Sequence, residues 1–600
     1  MQSGGDYSNG FHGEVEKQLP GLSSFGRAKR RSRGVAHDPR GGLTNGVRVS
    51  DQLGEQKPLE TQKSPPPCTD FDVAYFHSYA HVGIHEEMIK DRARTETYKE
   101  AIMQHQSFIQ GKVVVDVGCG TGILSIFCAQ AGAKRVYAVD ASDIAVQANE
   151  VVKANGLSDK VIVLHGRVED VEIDEEVDVI ISEWMGYMLL YESMLGSVIT
   201  ARDRWLKPGG LILPSHATLY MAPVSHPDRY SHSIDFWRNV YGIDMSAMMQ
   251  LAKQCAFEEP SVESISGENV LTWPEVVKHI DCQTVKIQEL DSVTARYKFK
   301  SMMRAPMHGF GFWFDVEFSE PASSPAKTTS ATSVDGGSSS MSPSREGNQK
   351  KRSNPSDALV LSTSPEAPPT HWQQTIVYFY DPIDVEQDQV IEGSVTLSQS
   401  KENRRFMNIH LEYSSAGRSF VKESAMEVVK ANGLSDKVIV LHGRVEDVEI
   451  DEEVDVIISE WMGYMLLYES MLGSVITARD RWLKPGGLIL PSHATLYMAP
   501  VSHPERYSHS IDFWRNVYGI DMSAMMQLAK QCAFEEPSVE SISGENVLTW
   551  PEVIKHIDCQ TVKIQELDSV TARYKFKSMM RAPMHGFGFW FDVEFSDPAS

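Results

Sequence analysis

Two hydrophobic periodicities divide the chain. Between residue 71 and about residue 213, segments with apolar positions at helical spacing alternate with short β-branched runs at 113–117, 135–140, 160–165, 178–182 and 211–213. Strands separated by helices need crossover connections, which predicts a parallel sheet built from βαβ units. From residue 214 onward the period shortens to two. The runs ATLYMAPV, QTVKIQEL (283–290), TARYKFKSMM and FGFWFDVEF, and later QQTIVYFY, VIEGSVTLSQS and RRFMNIHLEY, predict an all-β, barrel-like second domain. A more helical stretch at 232–254 interrupts it. The fold class expected is therefore α/β plus β: a Rossmann-like domain followed by a barrel.

A repeat changes what the length means. Residues 150–323 recur at 427–600 with a constant offset, and the copies differ only at Asp228/Glu505, Val277/Ile554 and Glu320/Asp597. Solenoid units are short and divergent, so this is not a stacking architecture. It reads as a block duplication or a fused reading frame. The second copy begins inside the helix after the second strand and ends where the first meets low-complexity sequence. Looping out the residues between 149 and 427 to let copy two replace copy one costs about 5 kcal/mol of closure entropy. Copy one is therefore expected to build the main fold.

Composition sharpens the boundaries. Residues 1–68 are rich in Gly, Ser, Pro and Arg and predict a disordered tail, in which Arg27-Ala-Lys-Arg-Arg-Ser-Arg33 is a compact basic run of the nuclear-import type. A nuclear and cytoplasmic location is the expectation. Residues 69–213 form the cofactor domain and 214–424 the barrel, with a low-complexity insertion at 321–357; residues 425–600 are the truncated duplicate. With 57 Lys+Arg against 81 Asp+Glu, the net charge of −24 argues against a general nucleic-acid binder and favours cationic partners. The acidic excess lies almost wholly in the duplicated block. Seven cysteines without C-x-x-C spacing suggest a reducing compartment. The segment MQSGGDYSNG has no apolar signal core, and no run of 18 apolar residues occurs, so no membrane span is expected.

The chemistry gathers at the ends of the first four strands. The run 113–122, VVVDVGCGTG, is a buried strand entering a glycine turn ahead of a helix. Gly118, Gly120 and Gly122 allow a tight turn and close approach of a ligand to the backbone. The spacing is G-x-G-x-G, tighter than the dinucleotide motif, and no Walker lysine follows. Asp140 ends the second strand about 20 positions on, where a carboxylate accepts ribose hydroxyls. A nucleoside ligand without a pyrophosphate, such as S-adenosylmethionine, suits this loop. After the third strand, Val168 and Glu169 lie where an adenine edge would reach.

After the fourth strand comes SEWMGYMLLYES (182–193). Glu183 and Glu192 are too far apart for one helical turn, so a hairpin-like loop must bring them together. The loop between them is largely apolar. Two carboxylates in one apolar cleft repel unless a cation lies between them. A guanidinium fits: planar, permanently charged and bidentate toward carboxylates. No metal is called for.

With these residues in place the chain resembles the type I protein arginine N-methyltransferase family over about residues 71–424. The resemblance rests on YFHSY (75–79), GIHEEMIKD (83–91) with Arg94, VDVGCGTGILS, the double-glutamate loop and THW (370–372). It implies a Rossmann-like cofactor domain, a β-barrel and an inserted dimerisation arm near 237–249, hence a homodimer. It also implies roles. Tyr75, Phe76 and Tyr79 close over the cofactor, Met88 borders the transferable methyl, and Arg94 pairs with the cofactor carboxylate. Asp116, the three glycines, Asp140, Val168 and Glu169 complete the cofactor site. Glu183 and Glu192 hold the substrate arginine, flanked by Met185, Tyr187 and Trp372, with a His371–Asp91 pair alongside. The family often carries Glu where this chain has Asp140. The substrates implied are basic, arginine-bearing proteins such as histone tails and Gly/Arg-rich proteins, and the products monomethyl and asymmetric dimethyl arginine. A cofactor-binding scaffold without catalysis is the alternative. A nucleic-acid amino-methyltransferase would need a basic face and a D/N-P-P-aromatic motif at the fourth strand, and neither is present. Copy two keeps Glu460 and Glu469 but has no counterpart of the glycine turn, Asp140 or Arg94. It is expected to bind no cofactor, and its arm, at about 514–526, is a candidate to dock on copy one and compete with homodimerisation.

Overall fold

The computed structural model describes residues 68–321, 358–414 and 438–596. The basic run at 27–33 and nearly all of the low-complexity insertion lie outside the described residues.

Four helices lead into the first domain: α1 (Asp70–Ser78), α2 (Val82–Lys90), α3 (Arg92–Gln104) and α4 (Gln106–Ile109). Thr69 and Asp72 form a reciprocal capping box on α1, and Asp91 caps α3 by accepting from the Arg94 amide. The sheet then alternates with helices: β1 (Val113–Val117), α5 (Ile123–Gln130), β2 (Arg135–Asp140), α6 (Ile144–Ala154), β3 (Val161–His165), β4 (Val177–Ile181), α7 (Leu195–Trp205) and β5 (Leu206–Leu213). Its order is β3-β2-β1-β4-β5, parallel throughout. All five β1 residues are buried, as a central parallel strand covered on both faces must be. Chain direction across the sheet reverses at β1. The crevice at the carboxyl ends of β1 and its neighbours is where such sheets take ligands.

The second domain is antiparallel. β6 (His216–Val224) is followed by the helical excursion containing α8 (Pro227–Ser233) and α9 (Met249–Phe257), then by β7 (Ser261–Glu263), β8 (Glu275–Asp281), β9 (Ser292–Lys300), β10 (Ala305–Phe318), β11 (Leu359–Ser362), β12 (Gln374–Val385), β13 (Val390–Gln399) and β14 (Met407–Ser414). One sheet runs β7-β12-β10-β6-β8 with β11 beside β10, and the other runs β14-β13-β9. One expected strand is absent. QTVKIQEL forms a turn and a short 3-10 helix (Ile287–Glu289), and the strand lies before it at β8. The Asp281 carboxylate accepts from the Gln283 amide and the Thr284 hydroxyl, which ends the strand in a turn. Among the described residues no helix is long and apolar enough to cross a membrane.

Copy two builds less from the same residues. Val454–Ile458 pairs only with Leu483–Leu490, and His493–Val501 carries Glu552–Asp558 on one side and Gly586–Glu594 on the other. Residues 571–580, the counterpart of most of β9 and the turn after it, form no strand. In copy one that strand pairs with β13, which occurs once in the chain.

Candidate active site

The cradle at the end of β1 is bare backbone. Gly118, Gly120 and Gly122 all have positive φ, at 72°, 53° and 82°. A Cβ on Gly118 would lie 3.0 Å from Met194 Cε, and one on Gly120 3.1 Å from His85 Nδ1. The positive φ at all three disfavours any side chain, and space is tight as well at Gly118 and Gly120. Asp140 holds the turn in shape: Oδ2 accepts the Gly120 amide at 2.8 Å, and Oδ1 accepts the amide and hydroxyl of Ser142. An ionised carboxylate has about four acceptor positions, so Oδ2 retains capacity for a further hydroxyl. Glu169 is half-buried and accepts from the Ser197 hydroxyl at 2.8 Å, beside buried Val168. Bare backbone, a diol-accepting carboxylate and a second carboxylate beyond β3 fit an adenosine-bearing ligand.

Asp116 lies under this turn with its Oδ1 buried and without a hydrogen-bond partner among the described residues. It is fully buried, and its Oδ2 accepts from Ser125 of α5 at 2.6 Å. Burial pushes its pKa up to about 7, with the nearby Asp140 charge adding to the rise and the Ser125 hydrogen bond opposing it. The native state therefore holds this proton at pH values where the unfolded chain has lost it. Stability falls as pH rises from about 4 to about 7, and the full penalty remains above that. Asp116→Asn is expected to raise the melting temperature above pH 7, by an amount that shrinks toward zero as the pH falls to 4. Thermal unfolding of both proteins across that range measures it.

The double-glutamate loop is held in an unusual backbone. Met188, Leu189, Glu192 and Ser193 all adopt positive φ without being glycine. Such conformations cost on the order of 1–3 kcal/mol each and persist only where the surroundings enforce them. Those surroundings come from the turn between β13 and β14, 211 residues after Ser193. The Glu192 amide donates to Arg405 O at 2.8 Å, and the Ser193 hydroxyl donates to Arg404 O. The Arg405 guanidinium donates to Glu192 O and to Asp72 of α1, and stacks over the Tyr75 ring at 3.8 Å. Arg405 and Asp72 were not among the residues expected from sequence. One residue of the β13–β14 turn thus ties α1 to the acceptor loop.

The two glutamates lie close enough for their charges to interact. Glu192 Oε2 accepts from the hydroxyls of Tyr75 (2.8 Å) and Tyr79 (2.7 Å). Burial raises its pKa above the ordinary carboxylate value. The two tyrosine hydrogen bonds pull it down, and the Glu183 charge pushes it further up. Burial and the Glu192 charge likewise push both tyrosines well above their usual range, so they remain donors. Glu183 Oε2 receives two N–H groups of Arg94, at 3.1 and 2.9 Å, and Oε1 accepts the Met185 amide. Arg94 was expected to face a cofactor carboxylate. Here its buried guanidinium also bonds Met88 O, and the partner carboxylate within its reach is Glu183.

The remaining expected residues divide by position. His371 donates its amide to Asp91 Oδ2, and its Nδ1 lies 2.7 Å from the same oxygen. Burial pushes Asp91 up, but hydrogen bonds from His371 and the Arg94 amide outweigh it, and its pKa is lowered. Tyr187 is half-buried, with its hydroxyl pushed up to about 12 by burial and by Glu87 and Glu192. Trp372 and Met185 were expected to flank the substrate, yet both are buried. The Trp372 indole donates to Met185 O at 2.9 Å. That hydrogen bond ties THW to the double-glutamate loop. Phe76 stacks edge-on against Tyr75.

In copy two, Glu460 and Glu469 are both exposed on a loop with no α1 or Arg405 against it. Isothermal calorimetry of the full chain is expected to give one equivalent of S-adenosylmethionine. Two equivalents would require a second cradle in copy two.

Residues 215–334, 350–418 and 492–599 match the model of the arginine methyltransferase oligomerization subdomain, and residues 96–215 match that of the ribosomal protein L11 methyltransferase. The chain is 89% identical over 434 residues to the probable protein arginine N-methyltransferase 6 of Arabidopsis thaliana, covering 71% of this chain and 100% of that one. It is 44% identical over 346 residues to protein arginine N-methyltransferase 6 of Danio rerio, covering 57% and 89%. A solved Trypanosoma brucei PRMT1 enzyme-prozyme complex with AdoHcy aligns at TM-score 0.47 and 34% identity, over 56% of this chain and 96% of that one.

Proposed function

The chain belongs to the protein arginine N-methyltransferase family, and from that premise we propose that copy one is the working enzyme, methylating arginines in basic proteins to the monomethyl and asymmetric dimethyl forms. The observation that carries this reading is a buried Glu183 close enough for its charge to raise the pKa of the half-buried Glu192, both on the loop that follows β4. When bound, S-adenosylmethionine supplies a methyl group on a positively charged sulfur.

This chain's residues do the rest. An arginine guanidinium stays protonated at neutral pH, and its delocalised charge leaves a poor nucleophile. Glu183 and Glu192, fixed on either side of the strained loop, hold the guanidinium plane and draw its positive charge toward themselves. That leaves the nitrogen facing the cradle richer in electrons. Both tyrosine hydroxyls bond Glu192 Oε2; among the described residues Oε1 has no hydrogen-bond donor, and it is the oxygen presented to the substrate. α1, closed by Arg405 and Asp72, keeps water from competing for these carboxylates. The raised pKa of Glu192 suits it to accept the proton that the product guanidinium sheds, with the His371–Asp91 pair as the neighbouring acceptor. Positioning and electrostatics supply the acceleration.

Acidic character complements Gly/Arg-rich and histone-tail substrates. Incubating the full chain with such peptides and S-adenosylmethionine, then separating products by mass spectrometry, tests the reading. Asymmetric dimethyl arginine supports it. Cofactor binding without methylated product would favour the scaffold role.

A further inference from the structure

The two copies carry the same helical arm in different surroundings. Residues 229–257 and 506–534 are identical in sequence. In copy two the arm consists of the 3-10 turns Asp512–Arg515 and Ser523–Met525 and the helix Met526–Phe534. Trp514, Ile520, Met522 and Met525 are completely buried and belong to the same apolar core as the cofactor domain of copy one. Their counterparts Trp237, Met245 and Met248 are only half-buried, Ile243 is 51% exposed, and Tyr241 is fully exposed.

The face that buries the second arm is made by α2, α3 and α6, and it is specific as well as apolar. The Asn155 side chain donates to Asp521 O at 2.7 Å and accepts from the Asp521 amide at 3.0 Å, a reciprocal pair. Lys90 donates to His509 O and sits over the Phe513 ring, Lys99 donates to Tyr518 O, and the Tyr518 hydroxyl donates to Ile89 O. Copy two owns no such face, because α2, α3 and the first part of α6 precede position 150 and are not duplicated; only residues 150–155 of the face recur, at 427–432.

We propose that copy two is an intramolecular plug: its arm occupies the arm-receiving face of its own chain, which leaves that chain with one free arm and no free face. Identical arms have identical intrinsic affinity for the face, so tethering decides between them. An arm on the same chain acts at an effective concentration of about millimolar, against micromolar for an arm arriving on another chain. The plug therefore replaces the reciprocal homodimer implied by the family resemblance. The free arm of copy one, with Trp237, Tyr241 and Ile243 uncovered, fits the open α2–α3–α6 face of a chain that lacks the duplicate. The full chain donates an arm and cannot accept one.

Sedimentation velocity and hydrogen exchange test this on the full chain. The wild type at micromolar concentration is expected to sediment as a single chain, with the amides of 517–525 exchanging far more slowly than those of 240–248. Trp514→Asp empties the face, and that variant is expected to dimerise through its first arm. Trp237→Asp/Trp514→Asp returns to a single chain, and mixing this double variant with wild type gives a 1:1 complex. Trp237→Asp alone, the same change in the same sequence on the free arm, stays a single chain and controls for damage to the arm. A wild-type dimer, or equal exchange in the two arms, would overturn the proposal. So would a Trp514→Asp protein that is folded, binds cofactor and remains a single chain.

Discussion

Glu192→Gln is expected to lower kcat by about a thousandfold, the scale of losing one preorganised electrostatic group at the reacting centre, while S-adenosylmethionine binds within about threefold of wild type. The substitution is nearly isosteric, and a glutamine oxygen still accepts from Tyr75 and Tyr79, so α1 stays closed. What disappears is a negative charge that the structure holds at a cost. Burial and the neighbouring Glu183 raise the Glu192 pKa, so the native state resists ionising it. The unfolded chain releases that proton at lower pH than the folded one. Ionised Glu192 therefore destabilises the fold above its raised pKa, and the penalty fades as pH falls through that value toward the unfolded one. Glu192→Gln should accordingly be more thermostable than wild type at neutral pH and equal to it in acid. An inactive, stabler protein that still binds cofactor separates a catalytic role from a structural one. Equal loss of cofactor binding would remove the assignment. Single-turnover kinetics, calorimetry and melting curves at two pH values supply the three readouts.

The legibility of this site in the sequence followed the range of the interactions. The β1 and β2 boundaries coincide with the runs at 113–117 and 135–140, because a buried strand is defined by its own β-branched residues. Gly118, Gly120 and Gly122 announce a turn whose positive φ disfavours any other residue. Where a partner distant in the chain decides, the local pattern fails. TARYKFKSMM is a strand in copy one, where β13 pairs with it, and no strand in copy two, where that partner does not exist. QTVKIQEL alternates like a strand, but the Asp281 turn wins. Arg405 carries no motif at all, and its importance comes from meeting Asp72, Tyr75 and Glu192 across more than 200 positions. Trp372 is recognisable in THW, yet nothing local says that its indole donates to Met185 O.

The Arg94–Glu183 pair calls for a double substitution, because removing either partner alone confounds two effects. Both side chains are more than nine-tenths buried, and Arg94 places two N–H groups on one carboxylate oxygen. Arg94→Met leaves Glu183 buried without its cation, and breaking such a pair typically costs about 3–5 kcal/mol. That is a large fraction of an ordinary folding free energy. The single variant is expected to melt well below wild type and to bind S-adenosylmethionine at least about a hundredfold more weakly, a cost of about 3 kcal/mol. Adding Glu183→Gln removes the stranded charge. Arg94→Met/Glu183→Gln should recover most of the lost stability, since the two residues touch and their effects are not additive. It should recover neither cofactor affinity nor turnover, because the guanidinium that would meet the cofactor carboxylate is still missing. If the double variant regains cofactor affinity along with its melting temperature, Arg94 serves only to neutralise Glu183. If stability alone returns, one guanidinium does two jobs: it balances a buried glutamate and it anchors the methyl donor. With Glu183 proposed to hold the substrate, that outcome would make Arg94 the link between donor and acceptor sites through a single ion pair.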